Sequence, residues 1–408
     1  MSHYLIVGQK FSPLSDYILA HGDTYTLLQD VKKTKFPEKK FKHRILADFS
    51  NRDSVLATVG TLQKSFDGVI TVYENYVVAT SWISEYLGLP GLPVSVAEAC
   101  TDKYQMRSLF AKSSEKISPA FAEVTNETEV RLFAQQHGFP LILKPANLAK
   151  SLLVTRNNDL DELIANYQKS TELLQDTYKK YASSRTPKLI IEEFMEGSVH
   201  SVDAFVDSNG TPHILEHIVD YETGYDIGYD DNFHYSRIIP SSMSSEDQNA
   251  LRRCAETGIK ALGMKNSPAH VEIIMTKDGP RIVEIGARNG GYRERMHRLA
   301  NGIDITGASL QLARGEQPTI TATKNSGCAV LELFPKTPGN YEMISNIDTM
   351  ESLPSLEYLS IKARLGDFVG KSSDGYRAVA IIILANDDIE KLNYDRNFIN
   401  KHCRVVTR

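Results

Sequence analysis

Two glutamates on either side of a turn give the strongest indication of chemistry in the sequence. Residues 271–285 contain two apolar runs that flank an Asp-Gly pair, which predicts a β-hairpin. With a loop over residues 277–279, Glu272 lies directly opposite Glu284 on one face of the hairpin. Like charges in that arrangement destabilise a sheet, whereas a divalent cation such as Mg²⁺ or Mn²⁺ would be bound by both carboxylates. The alternative is that a bulge or a one-residue slip in register turns one glutamate to solvent.

Two lysines stand where a positive charge could meet a phosphate group. Lys144 ends a short apolar strand at residues 141–144, and Lys103 follows Asp102, which is predicted to cap a helix. A lysine at the end of such an element presents a compact positive charge. For each lysine the alternative is an ordinary solvated position on the surface.

A connector after another apolar strand is a candidate for binding a nucleobase. Residues 192–197 read Glu-Glu-Phe-Met-Glu-Gly and follow the strand predicted at 189–191. Backbone N–H and C=O groups in such a connector can bind an adenine edge, because a few fixed polar groups are enough to orient a ligand.

The elements that would position these residues fall into three parts. An apolar strand at 4–8, a second at 69–72 and a helix at 76–87 that ends at Gly88 predict a doubly wound α/β unit. Gly8 is not followed by the other glycines of a dinucleotide fingerprint, so NAD binding is not expected. The chain is richer in strands from about residue 120, and a strand-rich module is predicted at about 325–408.

Composition argues against several classes of protein. The 408 residues carry a net charge of −5, which argues against a nucleic-acid binder held by general electrostatics. The four cysteines lie far apart without a CxxC pair, as in a cytosolic protein with reduced thiols. The sequence has no run near the ~20 apolar residues of a membrane span and no signal-like start. We therefore expect a cytoplasmic protein that binds neither nucleic acid nor membrane.

The order of these motifs resembles the ATP-grasp superfamily over roughly residues 60–315. Residues 87–91 and 101–107 are similar to its "LGLPG … DK…R" passage, 143–145 to its second lysine motif, and 192–195 to its interdomain hinge. The resemblance implies an ATP-grasp fold of the α/β (α+β) class. It also implies three domains: an N-terminal α/β domain at 1–98, an ATP-grasp domain at 99–318 with a small mobile lid at about 140–205, and a C-terminal α+β module at 319–408.

The same resemblance assigns roles to individual residues. Lys103 and Lys144 would contact the nucleotide phosphates, with Lys144 also taking part in catalysis. The adenine would be held by Glu192, the carbonyl of Glu193 and the N–H of Met195, and His200 would also contact the nucleotide. Glu272 and Glu284 would ligate the metal, and Arg288 would stabilise the acyl phosphate or the tetrahedral species.

Three positions depart from the family pattern. The loop at residues 146–153 has no glycine, so Ser151 and Lys150 are expected to contact phosphate through their side chains. Gly286 stands where many members have a third metal ligand, which leaves Asn289 or water for that place. Val199 stands where many members have a ribose-binding glutamate, which leaves His200 or Glu196.

Within the superfamily, residues 284–291 and 301–304 are similar to the L-amino acid ligases, a branch of the carboxylate–amine ligases. That likeness implies an enzyme that uses ATP and Mg²⁺ or Mn²⁺ to form an amide or peptide bond through an acyl phosphate, releasing ADP and phosphate. The expected partners are ATP and small carboxylate and amine substrates such as amino acids, and a homodimer is left open.

Two other interpretations stay open at this point. One is a purine-biosynthesis-type or biotin-carboxylase-like ATP-grasp enzyme. The other is a nucleotide-binding scaffold without turnover, which the missing loop glycines favour and the presence of Glu272, Glu284 and Arg288 argues against. An acidic loop at residues 220–231 would attract an amine substrate, or is a solvated acidic turn.

Overall fold

A computed structural model describes residues 1–34, 43–49, 51–148, 152–182 and 185–408. The described residues form helices and several β-sheets, as the α/β prediction required.

The N-terminal unit is a parallel sheet with the strand order β3-β2-β1-β4. Its strands are β1 (His3–Gly8), β2 (Thr24–Asp30), β3 (Arg44–Ala47) and β4 (Gly68–Ile70). Its helices are α1 (Ser12–Ala20), α2 (Arg52–Gly60) and α3 (Val77–Leu87), with 3-10 turns at Val31–Lys33 and Glu74–Tyr76. Two further helices, α4 (Val94–Thr101) and α5 (Lys103–Phe110), follow, and their buried side chains, such as Ala97 and Phe110, pack in the core of the largest sheet. The doubly wound unit and the helix end at Gly88 are confirmed, since Gly88 has a φ of 66°. Gly8 also needs to be glycine, because its φ is 109° and an added Cβ would meet the Tyr76 ring at 2.1 Å.

A four-stranded antiparallel sheet with the order β5-β8-β6-β7 forms the second unit. Its elements are β5 (Phe121–Val124), α6 (Glu127–His137), β6 (Leu141–Pro145), β7 (Thr155–Asn157), α7 (Leu160–Tyr181) and β8 (Leu189–Glu193). Buried side chains such as Leu143 and Ile191 fill the space between this sheet and α6 and α7. The sheet therefore spans 121–193, whereas the lid was predicted at about 140–205.

The largest sheet has nine strands. Its first part and the helices around it comprise β9 (Gly197–Val206), β10 (Pro212–Ile214), β11 (Val219–Thr223), β12 (His234–Ile239), α8 (Ser245–Leu262), β13 (Ser267–Thr276), β14 (Gly279–Gly286), α9 (Arg293–Ala300) and α10 (Ile305–Ala313), with a 3-10 turn at Tyr225–Ile227. The strand order is β14-β13-β9-β11-β12, with β10 beside β9. Residues 220–223 of the predicted acidic loop thus belong to strand β11.

The C-terminal residues extend this sheet. They form β15 (Gly327–Leu333), β16 (Gly339–Ile344), α11 (Ile347–Glu351), β17 (Leu356–Ile361), β18 (Phe368–Val369), β19 (Ala380–Asn386), α12 (Ile389–His402) and β20 (Val405–Thr407), with a 3-10 turn at Ser372–Asp374. Strand β12 pairs with β15, and β19 and β17 follow. The strand-rich character is as predicted, but the sheet continues across the boundary predicted at 318–319. Strands β18, β16 and β20 form a separate small sheet.

Candidate active site

One cavity of about 2270 Å³ opens between these units. It brings together most of the residues singled out in the sequence. The predicted residues that line it are Lys103, Lys144, Met195, Glu272, Glu284, Arg288 and Asn289.

The glutamate pair lies as predicted, but the hairpin reaches that arrangement by a different route. Glu272 is directly opposite Glu284, whereas the next pair is Ile273 with Ile282, so Val283 is an extra residue on β14. The turn has two residues, 277–278, instead of the predicted three. The shorter turn shifts the register by one residue, and the β-bulge at Val283 shifts it back. Both carboxylates therefore lie on one face of the hairpin because of a bulge. In the sequence analysis a bulge was the alternative that would have turned one glutamate to solvent.

Positive groups flank each carboxylate of this pair. Lys103 Nζ lies 2.9 Å from Glu284 Oε2, and this lysine is the main cause that lowers the pKa of Glu284. His270 Nε2 lies 3.5 Å from Glu272 Oε1. Burial opposes the charge of Glu272, but His270 and His234 outweigh it and hold the pKa of that carboxyl well below its usual range. Both glutamates are thus ionised at neutral pH.

The donor set fits a magnesium ion shared with phosphate groups. Across the described ranges, no three His, Cys, Asp or Glu side chains are grouped as a metal cage. Mg²⁺ is commonly bound by one or two carboxylates and completed by substrate phosphates and water, so two ionised glutamates on one face suit it. Asn289 lines the same cavity and donates its side-chain N–H to Ser309 Oγ at 2.8 Å. Its ligation of a metal stays a prediction.

Lys144 belongs to a buried charge cluster. Its Nζ lies 2.6 Å from Glu192 Oε2, while Arg107 Nε lies 2.9 Å from Glu192 Oε1. Burial opposes the charge of Glu192, yet the two cations lower its pKa to about 2. Burial lowers the pKa of Lys144 to about 8, since the attraction of Glu192 offsets only part of the effect and the positive charges of Arg107 and Lys103 add to it. The ammonium of Lys144 is therefore held at the cavity wall by a fixed carboxylate.

Lys103 begins α5, as the cap prediction required. Asp102 Oδ1 accepts hydrogen bonds from the backbone N–H groups of Tyr104 and Gln105 at 3.0 and 3.1 Å. The N–H of Lys103 itself donates to the carbonyl of Ala146 at 2.7 Å, which ties the start of α5 to the end of β6. The two lysines are thereby brought to the same cavity.

The hinge residues divide between the cavity and the protein interior. The carboxylate of Glu192 faces Arg107 and Lys144. The side chain of Glu193 accepts from the N–H of Ala120 at 2.9 Å and pairs with His137. Met195 lines the cavity, whereas Glu192 and Glu193 are not among the described residues that do. Of these three hinge residues, Met195 is therefore the one that lines the cavity, and its contact with adenine stays a prediction.

His200 does not line the cavity. The His200 ring is buried, with Nδ1 2.8 Å from Asp220 Oδ1 and Nε2 2.6 Å from Ser198 Oγ. Of the described residues here, Ser198 lines the cavity and His200 does not. Ser151 and Lys150 lie outside the described residues.

Arg288 is held by a residue from the N-terminal unit. Its Nε lies 2.9 Å from Glu74 Oε2, and its Nη1 donates to the carbonyl of Asn289 at 2.9 Å. Burial raises the pKa of Glu74, an effect that Arg288 only partly counters. A guanidinium beside a carboxylate at the cavity wall suits binding of a zwitterion, since it offers one group of each sign.

Comparison with known proteins agrees with this arrangement. Residues 137–294 match the profile described as an ATP-grasp domain. The chain contains an ATP-grasp domain. The full chain superposes with a TM-score of 0.79 on the L-amino acid ligase of Bacillus licheniformis, at 20% identity and with 100% and 99% of the two chains covered, so the ATP-grasp fold is shared.

Curated relatives share somewhat higher sequence identity with this chain but match over shorter stretches. An uncharacterized protein of Sinorhizobium fredii is 25% identical over 331 residues, which cover 80% of this chain and 66% of that protein. An alanine–anticapsin ligase of Bacillus subtilis is 28% identical over 232 residues, covering 55% and 49%. The chain thus spans about half to two thirds of the length of these relatives. In the described part of the chain, no helix is long and apolar enough for a membrane crossing.

Glu74 was not among the site residues predicted from the sequence. It follows β4, at the carboxyl end of a parallel sheet, where ligands of open α/β sheets usually bind. That position was the available signal. Its partner Arg288 is more than 200 residues away along the chain, and no local pattern links the two.

A second group that was not predicted also lines the cavity. Arg237 Nη1 lies 3.2 Å from Glu332 Oε2, and the Tyr292 hydroxyl donates to Glu332 Oε1 at 2.6 Å. All three line the cavity, and Glu332 comes from β15 in the C-terminal part.

The predicted acidic residues also line the cavity, but they have partners. Asp226 accepts from the N–H and hydroxyl of Thr223 at 2.6 and 2.7 Å. Asp231 accepts from the N–H of Ser372 at 2.7 Å, and Asp230 lies 3.3 Å from Lys371. The contacts of Asp230 and Asp231 join the loop to the C-terminal module. These acidic residues therefore stabilise the position of the loop, in addition to any effect on an amine.

Proposed function

We propose that this protein is an ATP-dependent carboxylate–amine ligase that joins amino acids through an acyl-phosphate intermediate. The observation that carries the proposal is the convergence of the ionised Glu272–Glu284 pair, the two lysines and Arg288 on one cavity. The relatives named as ligases support it.

Charge repulsion is the first obstacle to this reaction, because a carboxylate must attack the γ-phosphorus of ATP and both are anionic. Lys103 and Lys144 would neutralise and align the phosphates in the cavity that both line. A magnesium ion bound by Glu272 and Glu284 would supply further charge neutralisation at the phosphates. Attack forms the bond between the carboxylate oxygen and the γ-phosphorus, and the bond to the β-phosphate oxygen breaks, so ADP leaves.

The second half of the reaction consumes the acyl phosphate. The amine nitrogen attacks the acyl carbon, inorganic phosphate leaves with the former carboxylate oxygen, and the nitrogen loses a proton. Arg288 would hold the substrate carboxylate and then the developing oxyanion, while Glu74 beside it would bind the ammonium group of an amino acid. The four-stranded unit with Lys144 would cover the site and limit hydrolysis.

Phosphate release measured with ATP, Mg²⁺ and paired amino acids tests the proposal. We expect release that requires amino acids, with dipeptide found by mass spectrometry, and hydroxylamine should trap the acyl phosphate as a hydroxamate. Glu284→Gln should abolish the reaction. Glu256→Gln is the matched control, because Glu256 also pairs with a lysine, Lys260 at 2.6 Å, but lies outside the cavity lining.

Other results would identify the alternatives. Release that depends on bicarbonate and forms no hydroxamate from amino acids would favour the biotin-carboxylase-like interpretation. Bound ADP without phosphate release under any condition would favour a scaffold, and would overturn the proposal.

A further inference from the structure

A fully buried arginine connects the two halves of the proposed site. Arg107 lies on α5, one turn after Lys103, and its side chain has no exposed surface. Its Nε donates to Glu192 Oε1 at 2.9 Å, and Glu192 in turn holds Lys144. Its Nη2 donates to the backbone carbonyl of Val283 at 2.8 Å.

Val283 is the residue on which the arrangement of the carboxylate pair depends. It is the extra residue of β14, between Ile282, which faces Ile273, and Glu284, which faces Glu272. If β14 continued in the register of its turn, Val283 would face Glu272, and Glu284 would point to the other side of the sheet. The bulge is therefore what places the second carboxylate on the cavity side.

An extra residue in a bulge lies outside the regular ladder, so its backbone groups need partners from elsewhere. Arg107 supplies such a partner to the Val283 carbonyl. Helix α5 thus contacts the bulge twice, because Lys103 also pairs with the side chain of Glu284 at 2.9 Å.

We propose that Arg107 is a positioning residue that fixes the β-bulge at Val283 and thereby sets Glu284 opposite Glu272 for metal binding, while the same guanidinium holds Glu192 against Lys144. The inference rests on the proposed metal site. It requires arginine, because a guanidinium presents several N–H groups in a fixed fork, whereas a lysine ammonium acts as a single point of charge and cannot reach both acceptors in the same geometry.

Binding of Mn²⁺ in the presence of ADP, followed by the electron paramagnetic resonance signal of free Mn²⁺, tests this without turnover. Removing a partner that orients metal ligands typically costs about 10- to 100-fold in metal affinity, and we expect a loss in this range for Arg107→Met. Arg252→Met is the matched control, because Arg252 also donates to a backbone carbonyl, that of Glu216 at 3.1 Å, but on the exposed side of α8. It should bind Mn²⁺ as the wild type does.

The same substitution in a chain that lacks the bulge shows whether Arg107 affects Mn²⁺ binding through the bulge. Deleting Val283 brings Glu284 opposite Glu272 without a bulge, so Arg107→Met should cost far less Mn²⁺ affinity in that chain. An equal loss in both backgrounds would overturn the role assigned to the bulge. If the chain with Val283 deleted does not fold, Mn²⁺ binding by Arg107→Met in the wild-type background is the test. If Arg107→Met does not fold, Arg107→Lys is measured in its place.

The outcomes separate this inference from the proposed function. If the wild type binds no Mn²⁺ with ADP, the metal site itself is wrong. If the wild type binds Mn²⁺ and a folded Arg107→Met variant binds it equally well, the metal site stands and Arg107 is only a core ion pair, which overturns the inference.

Discussion

Raising the pH should weaken nucleotide binding through Lys144. Burial lowers the pKa of this lysine to about 8, and Glu192 does not restore it because the nearby positive charges of Arg107 and Lys103 lower the pKa as well. Lys103 differs. Burial opposes its charge too, but Glu284 outweighs burial and raises the pKa of Lys103 above its usual range. Between pH 7 and 9, Lys144 therefore loses its charge and Lys103 keeps it.

The size of the effect follows from the fraction of charged lysine. If binding of the ADP phosphates requires the ammonium form, a pKa near 8 makes binding about twofold weaker at pH 8 and about tenfold weaker at pH 9 than at pH 7. Nucleotide would favour the charged form, so binding above pH 8 should also take up a proton from the buffer.

Calorimetric titration with Mg²⁺ and ADP from pH 7 to 9, in buffers of different ionisation enthalpy, measures both the affinity and the proton uptake. Lys144→Arg should give an affinity that is flat over this range, because arginine stays charged. Lys103→Arg is the comparison variant and should keep the pH dependence of the wild type. A flat wild-type profile, or the same decline in Lys144→Arg, would refute the role given to Lys144.

The same pKa has a consequence for folding without nucleotide. Between about pH 8 and the ordinary lysine pKa near 10.5, the unfolded chain holds a proton that the folded chain has released. Stability rises with pH wherever the unfolded state binds more protons, so the contribution of Lys144 to the free energy of unfolding should increase across that window. Chemical denaturation at pH 8 and 10 gives the free energy of unfolding of the wild type and of Lys144→Met. Between these two pH values it should change in a more stabilising direction for the wild type than for the variant.

Three further substitutions test other parts of the site. Arg288→Lys should bind ATP nearly normally yet form amide product at least ~100-fold more slowly, the scale for loss of one oxyanion donor; normal product formation would remove Arg288 from the site. Glu284→Gln should lose ADP formation. Without added metal it should also unfold at a lower temperature than the wild type, because Lys103 loses its partner. A higher melting temperature would mean that repulsion by Glu272 dominates. Met195→Pro should weaken ATP binding strongly and Met195→Leu only slightly, since proline lacks the N–H; equal affinities in calorimetry would place the adenine elsewhere.

Local signals in the sequence predicted local structure well. The end of α3 at Gly88 and the cap of α5 by Asp102 each depend on a few neighbouring residues. The strand β14 and its partner β13 follow from two apolar runs around a turn.

Features that depend on distant residues were not predictable in this way. Arg107 and Glu192 are 85 residues apart, and although both lie in motifs singled out from the sequence, no local pattern shows that their side chains pair. The register of the hairpin was predicted from a three-residue loop, but a two-residue turn and a bulge produce it. The boundary predicted near residue 318 reflects a change in local composition, whereas the pairing of β12 with β15 is a contact between strands about 90 residues apart.

The pairing of Glu284 with Lys103 changes how the opposed glutamates are understood. From the sequence, two like charges facing each other imply a sheet that needs a metal ion to relieve the repulsion. In the fold, Lys103 lies 2.9 Å from Glu284, and His270 lies 3.5 Å from Glu272, so the chain supplies a positive group for each carboxylate. The hairpin can therefore fold with both glutamates ionised, and in the proposed site metal binding would be an exchange in which Lys103 leaves Glu284 for a phosphate group. Because the lysine that stabilises the pair is also the lysine predicted to bind the nucleotide, metal and nucleotide should bind more tightly together than either does alone.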